Sequence, residues 1–175
     1  KDLEMFRIRR IYDSVFPMNR LAVTQVQAIL RTQFPFIKEE EIIKLPEKLR
    51  NPFQHGFRSI LFVADDFKGK VKGFALILHD PDLNFCFLDY ISAAKKLTGR
   101  GIGGALYERI RQEVQALNCI GLFFECLPDD PMLSKNPEIR KQNIARLKFY
   151  ESFGARPIIN TKFETPIKPG GDNPP

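Results

Sequence analysis

The chain has 175 residues, of which 43% are hydrophobic and 27% are charged, a balance that fits one globular domain with its own core. The longest apolar runs are too short for a membrane span, and no signal peptide is visible. The formal net charge of +6 comes from scattered lysines and arginines without a repeated aromatic platform, so we expect neither a membrane nor a nucleic-acid partner.

The first third of the chain predicts one strand and two helical stretches. Hydrophobic alternation predicts a strand at 4–12, and helical spacing predicts a helix that begins at Asn19 and stops before Pro35. The charged stretch 38–50 is helical in pattern but interrupted at Pro46, and we interpret it as a mobile cover.

The middle of the chain predicts a meander that leads into a helix. Apolar runs separated by turn residues predict successive antiparallel strands at 59–65, 70–79 and 84–93. Apolar residues at helical spacing from Ile102 to Val114 then predict a helix that ends near Asn118.

The last third predicts a strand, a helix and a returning strand. Residues 121–126 form a short apolar run, and Asn136-Pro137-Glu138 carries residues favoured at a helix start. That helix runs to Phe153, and Gly154 stops it. We expect one or two strands at 155–163. The domain then covers residues 1–165, and the Pro- and Gly-rich residues 166–175 form a tail or a linker to a further domain.

The cysteines and histidines predict no metal site. Cys86, Cys119 and Cys126 form no CxxC pair and lie in apolar stretches, which is typical of reduced, buried thiols in a cytoplasmic protein. His55 and His79 are not spaced as ligands, and we expect them at the surface or in loops.

A glycine-dense turn is the most informative feature of the sequence. It runs straight into the predicted helix and reads Thr98-Gly99-Arg100-Gly101-Ile102-Gly103-Gly104-Ala105. Glycines let the backbone approach a ligand closely, and the first turn of a helix offers unpaired N–H groups and a positive dipole end. The turn therefore predicts a pyrophosphate site, to which Arg100 adds a charge.

The turn also satisfies the dinucleotide fingerprint, with Gly99, Gly101 and Gly104 at the required spacing and Glu125 as the acid for the ribose. This predicts an NAD-binding protein as a weaker alternative. Polar residues separate the preceding strand from the first glycine, and only about fifty residues follow Glu125, too few for the rest of a doubly wound sheet.

The order of elements and two motifs resemble the GNAT superfamily of N-acetyltransferases over most of residues 4–163. The motifs are 100–105, which resembles the family's pyrophosphate loop, and 143–154, which resembles its second coenzyme A segment. The resemblance implies an α/β (α+β) fold: a mixed, mostly antiparallel sheet flanked by about four helices, with a splayed strand pair that binds coenzyme A. It also implies acetyl-coenzyme A as cofactor.

The resemblance assigns cofactor contacts to three segments. Backbone groups of Ile91, Ser92 and Ala93 would bind the pantetheine arm, and the backbone of the glycine turn would hold the pyrophosphate. Asn143 and Tyr150 would contact the cofactor with their side chains. Thr98 departs from the family pattern, which most often has Arg or Gln there, so one phosphate contact is weakened or replaced.

Three residues are candidates for the acid and base of acetyl transfer to an amine. By the resemblance, Tyr150 protonates the departing thiolate. Glu125 and Asp89 lie in otherwise apolar strands and are candidate bases, and burial would raise the pKa of Glu125 towards a useful range. Tyr107 is interpreted as a solvent-facing helix residue.

The sequence leaves open which amine is the acceptor and whether the protein is an enzyme or a binding domain. The residues Asp89, Glu125, Asp129 and Asp130 favour a cationic amine such as a polyamine, a lysine side chain or an amino sugar, small molecule or protein. The alternative is a non-catalytic coenzyme A sensor or interaction domain. Either a monomer or a homodimer is compatible with the sequence.

Overall fold

The computed structural model describes residues 5–93 and 101–161 of the chain. Contacts divide the chain into two compact units, Lys1–Phe124 and Glu125–Pro175. Of the predicted site, Thr98, Gly99 and Arg100 lie outside the described residues, as does the predicted tail at 166–175.

The first unit is built on a five-stranded sheet in the order β1-β2-β3-β4-β5. Only β4 and β5 are parallel, and all other neighbours are antiparallel, so the mixed, mostly antiparallel sheet is confirmed. Its elements are β1 (Arg7–Ile11), α1 (Pro17–Gln33), α2 (Glu39–Ile43), α3 (Leu45–Arg50), a 3-10 turn (Pro52–Gln54), β2 (Arg58–Asp65), β3 (Val71–Asp80), β4 (Phe85–Ala93), α4 (Ile102–Ala116) and β5 (Leu122–Phe123).

Two side-chain-stabilised turns hold the meander of β2, β3 and β4 in register. The carboxylate of Asp66 accepts hydrogen bonds from the backbone N–H groups of Lys68 and Lys70, and Gly69 takes the left-handed conformation that closes this turn. Asp80 accepts bonds from Asp82 and Leu83 in the same way. The predicted antiparallel meander is therefore confirmed.

One face of the sheet packs against α1, α2 and α3 around fully buried Phe74. The predicted helical stretch 38–50 is two helices that meet at Lys44, because Pro46 has no N–H to donate to the carbonyl of Ile42. Its interpretation as a cover is wrong: the stretch contributes three buried core residues, Ile42, Leu45 and Leu49.

The other face of the sheet packs against α4, as the helical spacing predicts. Leu106 and Ile110 are fully buried, and burial of each such side chain stabilises the fold by roughly 1.5–3 kcal/mol. Tyr107, expected to face solvent, is only 4% exposed and packs edge-on against Phe124 at 6.2 Å between ring centres. Phe124, which follows β5, covers a position that the helix pattern assigned to solvent.

The second unit contains α5 (Pro137–Ser152). Its predicted start is confirmed: the side-chain oxygen of Asn136 accepts hydrogen bonds from the N–H groups of Glu138 and Ile139. Gly154 follows with φ +89°, as predicted for a helix stop. The predicted strand at 155–163 is wrong for its described part, 155–161, where Pro157 lacks a donor and the isoleucines are exposed.

Two further local predictions need correction. The predicted strand 121–126 shrinks to Leu122–Phe123, because β4 pairs with it at only two positions. His79, expected at the surface, lies in β3 and is 6% exposed, and its pKa is lowered by burial and by the charge of Arg58. No helix of residues 5–93 and 101–161 is long and apolar enough to cross a membrane.

Candidate functional site

A β-bulge lies in β4 at Asp89. Tyr90 pairs with Leu76 and Leu88 pairs with Ile77, so Asp89 is the extra residue of β4 at this register shift. An extra residue in one strand bends it and changes the face to which the next side chains point. Bulges of this kind are frequent beside active sites, and this one lies two residues before the predicted cofactor segment 91–93.

Strand β5 pairs with β4 over only two residues. Their ladder joins Cys86 to Leu122 and Phe87 to Phe123, while β4 continues to Ala93. Within the described residues, the rest of β4 therefore has no β5 partner, which is compatible with the splayed strand pair that the family resemblance implies. A strand edge left open in this way can accept an extended ligand through backbone hydrogen bonds.

The described part of the glycine turn forms the start of α4. Gly101 caps the helix with φ +80°, and among the described residues no side chain caps it. The first helical hydrogen bond runs from the N–H of Ala105 to the carbonyl of Gly101, so the N–H groups before Ala105 have no acceptor within the helix. Within residues 5–93 and 101–161, a Cβ added at Gly101 or Gly103 would meet no atom within 4 Å. As far as these residues define it, open space therefore faces a helix end suited to an anion.

Gly73 in β3 brings the end of β4 and the start of α4 close together. A Cβ at Gly73 would lie 2.7 Å from the carbonyl oxygen of Ser92, 3.1 Å from Ile102 and 3.2 Å from the Cα of Ala93. Because no real side chain tolerates the first distance, a residue larger than glycine would displace one or both predicted cofactor segments.

Ser92 also ties β4 to the last residue of α1. Its hydroxyl donates a hydrogen bond of 2.5 Å to the side-chain oxygen of Gln33, and Ser92 is buried while Gln33 is exposed. Beside this bond, Phe34 packs edge-on against Tyr90 with 5.0 Å between ring centres. The side chain of Ser92 thus holds the predicted pantetheine strand against α1.

The negative charges of two carboxylates act on Tyr90, the residue after the bulge. Burial raises the pKa of Tyr90 to about 12, with added contributions from the negative charges of Asp89 and Glu41. Both carboxylates are therefore near enough to disfavour a further negative charge, and the same field favours a cation.

We expect Tyr90 to make the protein lose stability between pH 10 and 12. Since the folded pKa lies above the ordinary value of 10.0, the unfolded chain releases the proton first, so stability falls as pH rises through this window. Spectrophotometric titration of Tyr90→Phe should lack the late tyrosinate component, and its alkaline unfolding should be shallower. Tyr12→Phe, at a ring that is 62% exposed, is the control. Retention of the late component in Tyr90→Phe would contradict the assignment.

In the second unit, α5 carries both predicted cofactor side chains, and both are buried. Asn143 is 3% exposed, and its amide nitrogen donates a 2.7 Å hydrogen bond to the carbonyl of Pro128. Tyr150 is 6% exposed and lies edge-on to Phe149. Asn143 thus already anchors the segment before the helix, and the roles of both residues towards a cofactor stay predictions.

The candidate acids of the second unit differ from expectation. Glu125 is exposed and follows the end of β5, so the expectation that it is buried is wrong. The strand is shorter than predicted and does not enclose this residue. Asp130 uses its carboxylate to accept a 2.7 Å hydrogen bond from the N–H of Met132, which stabilises a turn, and Asp129 is exposed.

Sequence reasoning missed Gly73, Gln33 and Tyr90 as parts of this site. For Gly73 a signal existed, since a glycine inside an apolar strand often marks a close backbone approach. Gln33 and Tyr90 gave none, because their positions depend on the packing of α1 against β4.

Comparisons with known proteins agree on one family. A family model described as "Acetyltransferase (GNAT) family" matches residues 23–155. A search of curated proteins finds no match.

Solved structures resemble the chain over nearly its whole length. A putative acetyl transferase from Pyrococcus furiosus is 20% identical, with a TM-score of 0.55, over 93% of this chain and 100% of that one. AAC(6')-Iy, in complex with the bisubstrate analog CoA-S-monomethyl-acetylneamine, is 13% identical, with a TM-score of 0.65, over 93% and 98%. The aminoglycoside acetyltransferase meta-AAC0020 from an uncultured soil metagenomic sample, in complex with sisomicin, is 16% identical, with a TM-score of 0.58, over 91% and 95%.

Proposed function

Because this chain belongs to the GNAT acetyltransferase family, we propose that it transfers the acetyl group of acetyl-coenzyme A directly to a primary amine. The observation that carries the proposal is the start of α4, where glycines and N–H groups without an acceptor in the helix face space that the described residues leave open. This arrangement fits a pyrophosphate, which needs several donors and close backbone approach. The NAD alternative needs a doubly wound parallel sheet, whereas four of the five strands here pair antiparallel.

Each part of the site has a task in this proposal. The N–H groups at Gly101–Gly104 bind the pyrophosphate, and the open edge of Ile91–Ala93 aligns the pantetheine arm. When bound, acetyl-coenzyme A supplies an activated acetyl thioester. Asp89 or Glu125 takes a proton from the amine, directly or through one water, and Tyr150 gives a proton to the departing thiolate.

The acceptor in this proposal is a cationic amine: a polyamine, a lysine side chain or an amino sugar. The charges of Asp89 and Glu41 beside Tyr90 support it, because they favour a positive group near the bulge. The aminoglycoside acetyltransferases among the similar structures also support an amino sugar.

Calorimetric titration with acetyl-coenzyme A is the direct test, with NADH as the control ligand. We expect micromolar affinity, roughly −8 kcal/mol, followed by thiol release when a cationic amine is added. Binding without turnover on any of the three amine classes would favour the sensor alternative. Absence of acetyl-coenzyme A binding would refute the proposal.

We expect Gly103→Ala to stabilise the protein and weaken its cofactor binding. The added Cβ meets no atom of the described part of the chain within 4 Å, and alanine is favoured over glycine inside a helix by about 0.5–1 kcal/mol. The same methyl group would obstruct approach to the helix N–H groups, and loss of one charge-assisted hydrogen bond costs roughly tenfold or more in affinity. Thermal unfolding and calorimetry measure the two effects.

Gly73→Ala is the matched control, because its Cβ would collide with the carbonyl of Ser92 and destabilise the fold by about 1–3 kcal/mol. The two glycine variants should therefore change stability in opposite directions. If Gly103→Ala keeps full affinity for acetyl-coenzyme A, the helix start is not the pyrophosphate site.

A further inference from the structure

Two cysteines far apart in sequence are in contact in the first unit. The Sγ atoms of Cys86, in β4, and Cys119, between α4 and β5, lie 3.5 Å apart. Cys86 is fully buried and Cys119 is half-buried, and both are free thiols. Neither spacing nor a motif in the sequence predicts this pair.

Backbone hydrogen bonds hold both cysteines in place. The N–H of Cys86 donates to the carbonyl of Gly121 at 3.0 Å, and the N–H of Ile120 donates to the carbonyl of Asn84 at 2.8 Å. The N–H of Cys119 donates to the carbonyl of Val114 at 3.1 Å. Because a disulfide is about 2.05 Å long, the sulfurs need to approach by roughly 1.5 Å, a movement of the size that side-chain rotation supplies.

We propose that Cys86 and Cys119 are an oxidative modification site, at which a peroxide converts the two thiols into a reversible disulfide. This goes beyond acetyl transfer and does not depend on it. Disulfides in reducing compartments are usually transient and redox-sensing, and a contact between two free thiols suits that use.

The partly exposed Cys119 reacts first. Its sulfur attacks one peroxide oxygen, the O–O bond breaks, and a sulfenic acid forms, while the departing hydroxide takes the Cys119 thiol proton and leaves as water. The sulfur of Cys86 then attacks that of Cys119, the S–O bond breaks, and the departing hydroxide takes the Cys86 proton as a second water. The two thiols lose two electrons in total, and the peroxide gains them.

The burial of Cys86 fits this order. Burial, and after it the neighbouring Cys119, raises the pKa of the Cys86 thiol to about 12. This thiol therefore keeps its proton until the sulfenic acid forms beside it. Cys86 and Cys119 enclose the end of β4 and all of α4. The disulfide would therefore close a loop that contains the predicted pyrophosphate segment.

The test treats the native full chain with hydrogen peroxide, then alkylates it under denaturing conditions with N-ethylmaleimide and measures the intact mass. We expect alkylation to fall from three cysteines to Cys126 alone, with a Cys86–Cys119 peptide in a non-reducing digest. Dithiothreitol should restore all three. Three alkylated thiols after peroxide, or oxidation of Cys119 to a sulfinic acid without a cross-link, would overturn the proposal.

Two variants keep the test specific. Cys126→Ser is the matched control and should still form the disulfide. Cys119→Ser changes the more exposed partner, so the fold should persist, and its two remaining thiols should stay alkylatable after peroxide. A peroxide-induced disulfide in Cys119→Ser would show that the contact at 3.5 Å does not direct the reaction.

Discussion

Asp65→Ala should lower the free energy of unfolding by about 3 kcal/mol, the lower end of the range for breaking a buried ion pair. The Asp65 carboxylate has no exposed surface, and it accepts bonds from Arg7 at 3.0 Å and Arg9 at 2.8 Å. Arg9 also donates to the side chain of Asn19 and to the carbonyl of Met18. The carboxylate therefore joins β1 and β2 to the start of α1, and its removal leaves a largely buried guanidinium without its counter-charge.

Thermal unfolding measures this loss as a fall in Tm of roughly 6–12 °C for a chain of this size. We place the loss at the low end because the side chain of Arg7 is 44% exposed. Asp82→Ala, at an exposed carboxylate, is the control and should change stability by less than about 0.5 kcal/mol. A loss in Asp65→Ala no larger than in this control would show that the buried carboxylate contributes little net stability.

This ion-pair cluster shows which parts of the fold the sequence could predict. The turns at Asp66 and Asp80 and the cap at Asn136 are made by side chains bonding backbone within four residues, and all three were predicted at the right places. The contacts of Asp65 join residues more than fifty positions apart, so no local pattern signals them.

In the candidate site too, the local features were predicted from the sequence and the long-range ones were not. The start of α4 was predicted because glycine spacing and helix chemistry are local properties. The bulge at Asp89 depends on the register of β3 against β4, and the exposure of Glu125 depends on how far β5 pairs. Strand register is a tertiary property. The apolar residues beside Glu125 in the sequence therefore predicted a buried base, whereas Glu125 is exposed in the structure.

Tyr150→Phe should lower kcat by roughly 10²–10⁴-fold, the usual contribution of a positioned general acid or base. The proposed role is to give the phenol proton to the departing thiolate, a task that phenylalanine cannot perform. The ring itself packs beside Phe149, and the carbonyl of Tyr150 accepts hydrogen bonds from the N–H groups of Phe153 and Ala155. Phenylalanine keeps these packing and backbone contacts, so we expect the affinity for acetyl-coenzyme A to stay nearly constant.

Tyr107→Phe is the matched control, because this tyrosine is equally buried but lies in α4, where its ring packs against Phe124. We expect it to keep its kcat within a few-fold, in contrast to the large loss in Tyr150→Phe. Steady-state kinetics and calorimetry on both variants separate chemistry from binding. If Tyr150→Phe lowers cofactor affinity and kcat together, its hydroxyl has a structural task. An unchanged kcat would remove Tyr150 from the proposed mechanism and direct the search for the acid to other side chains near the thiolate.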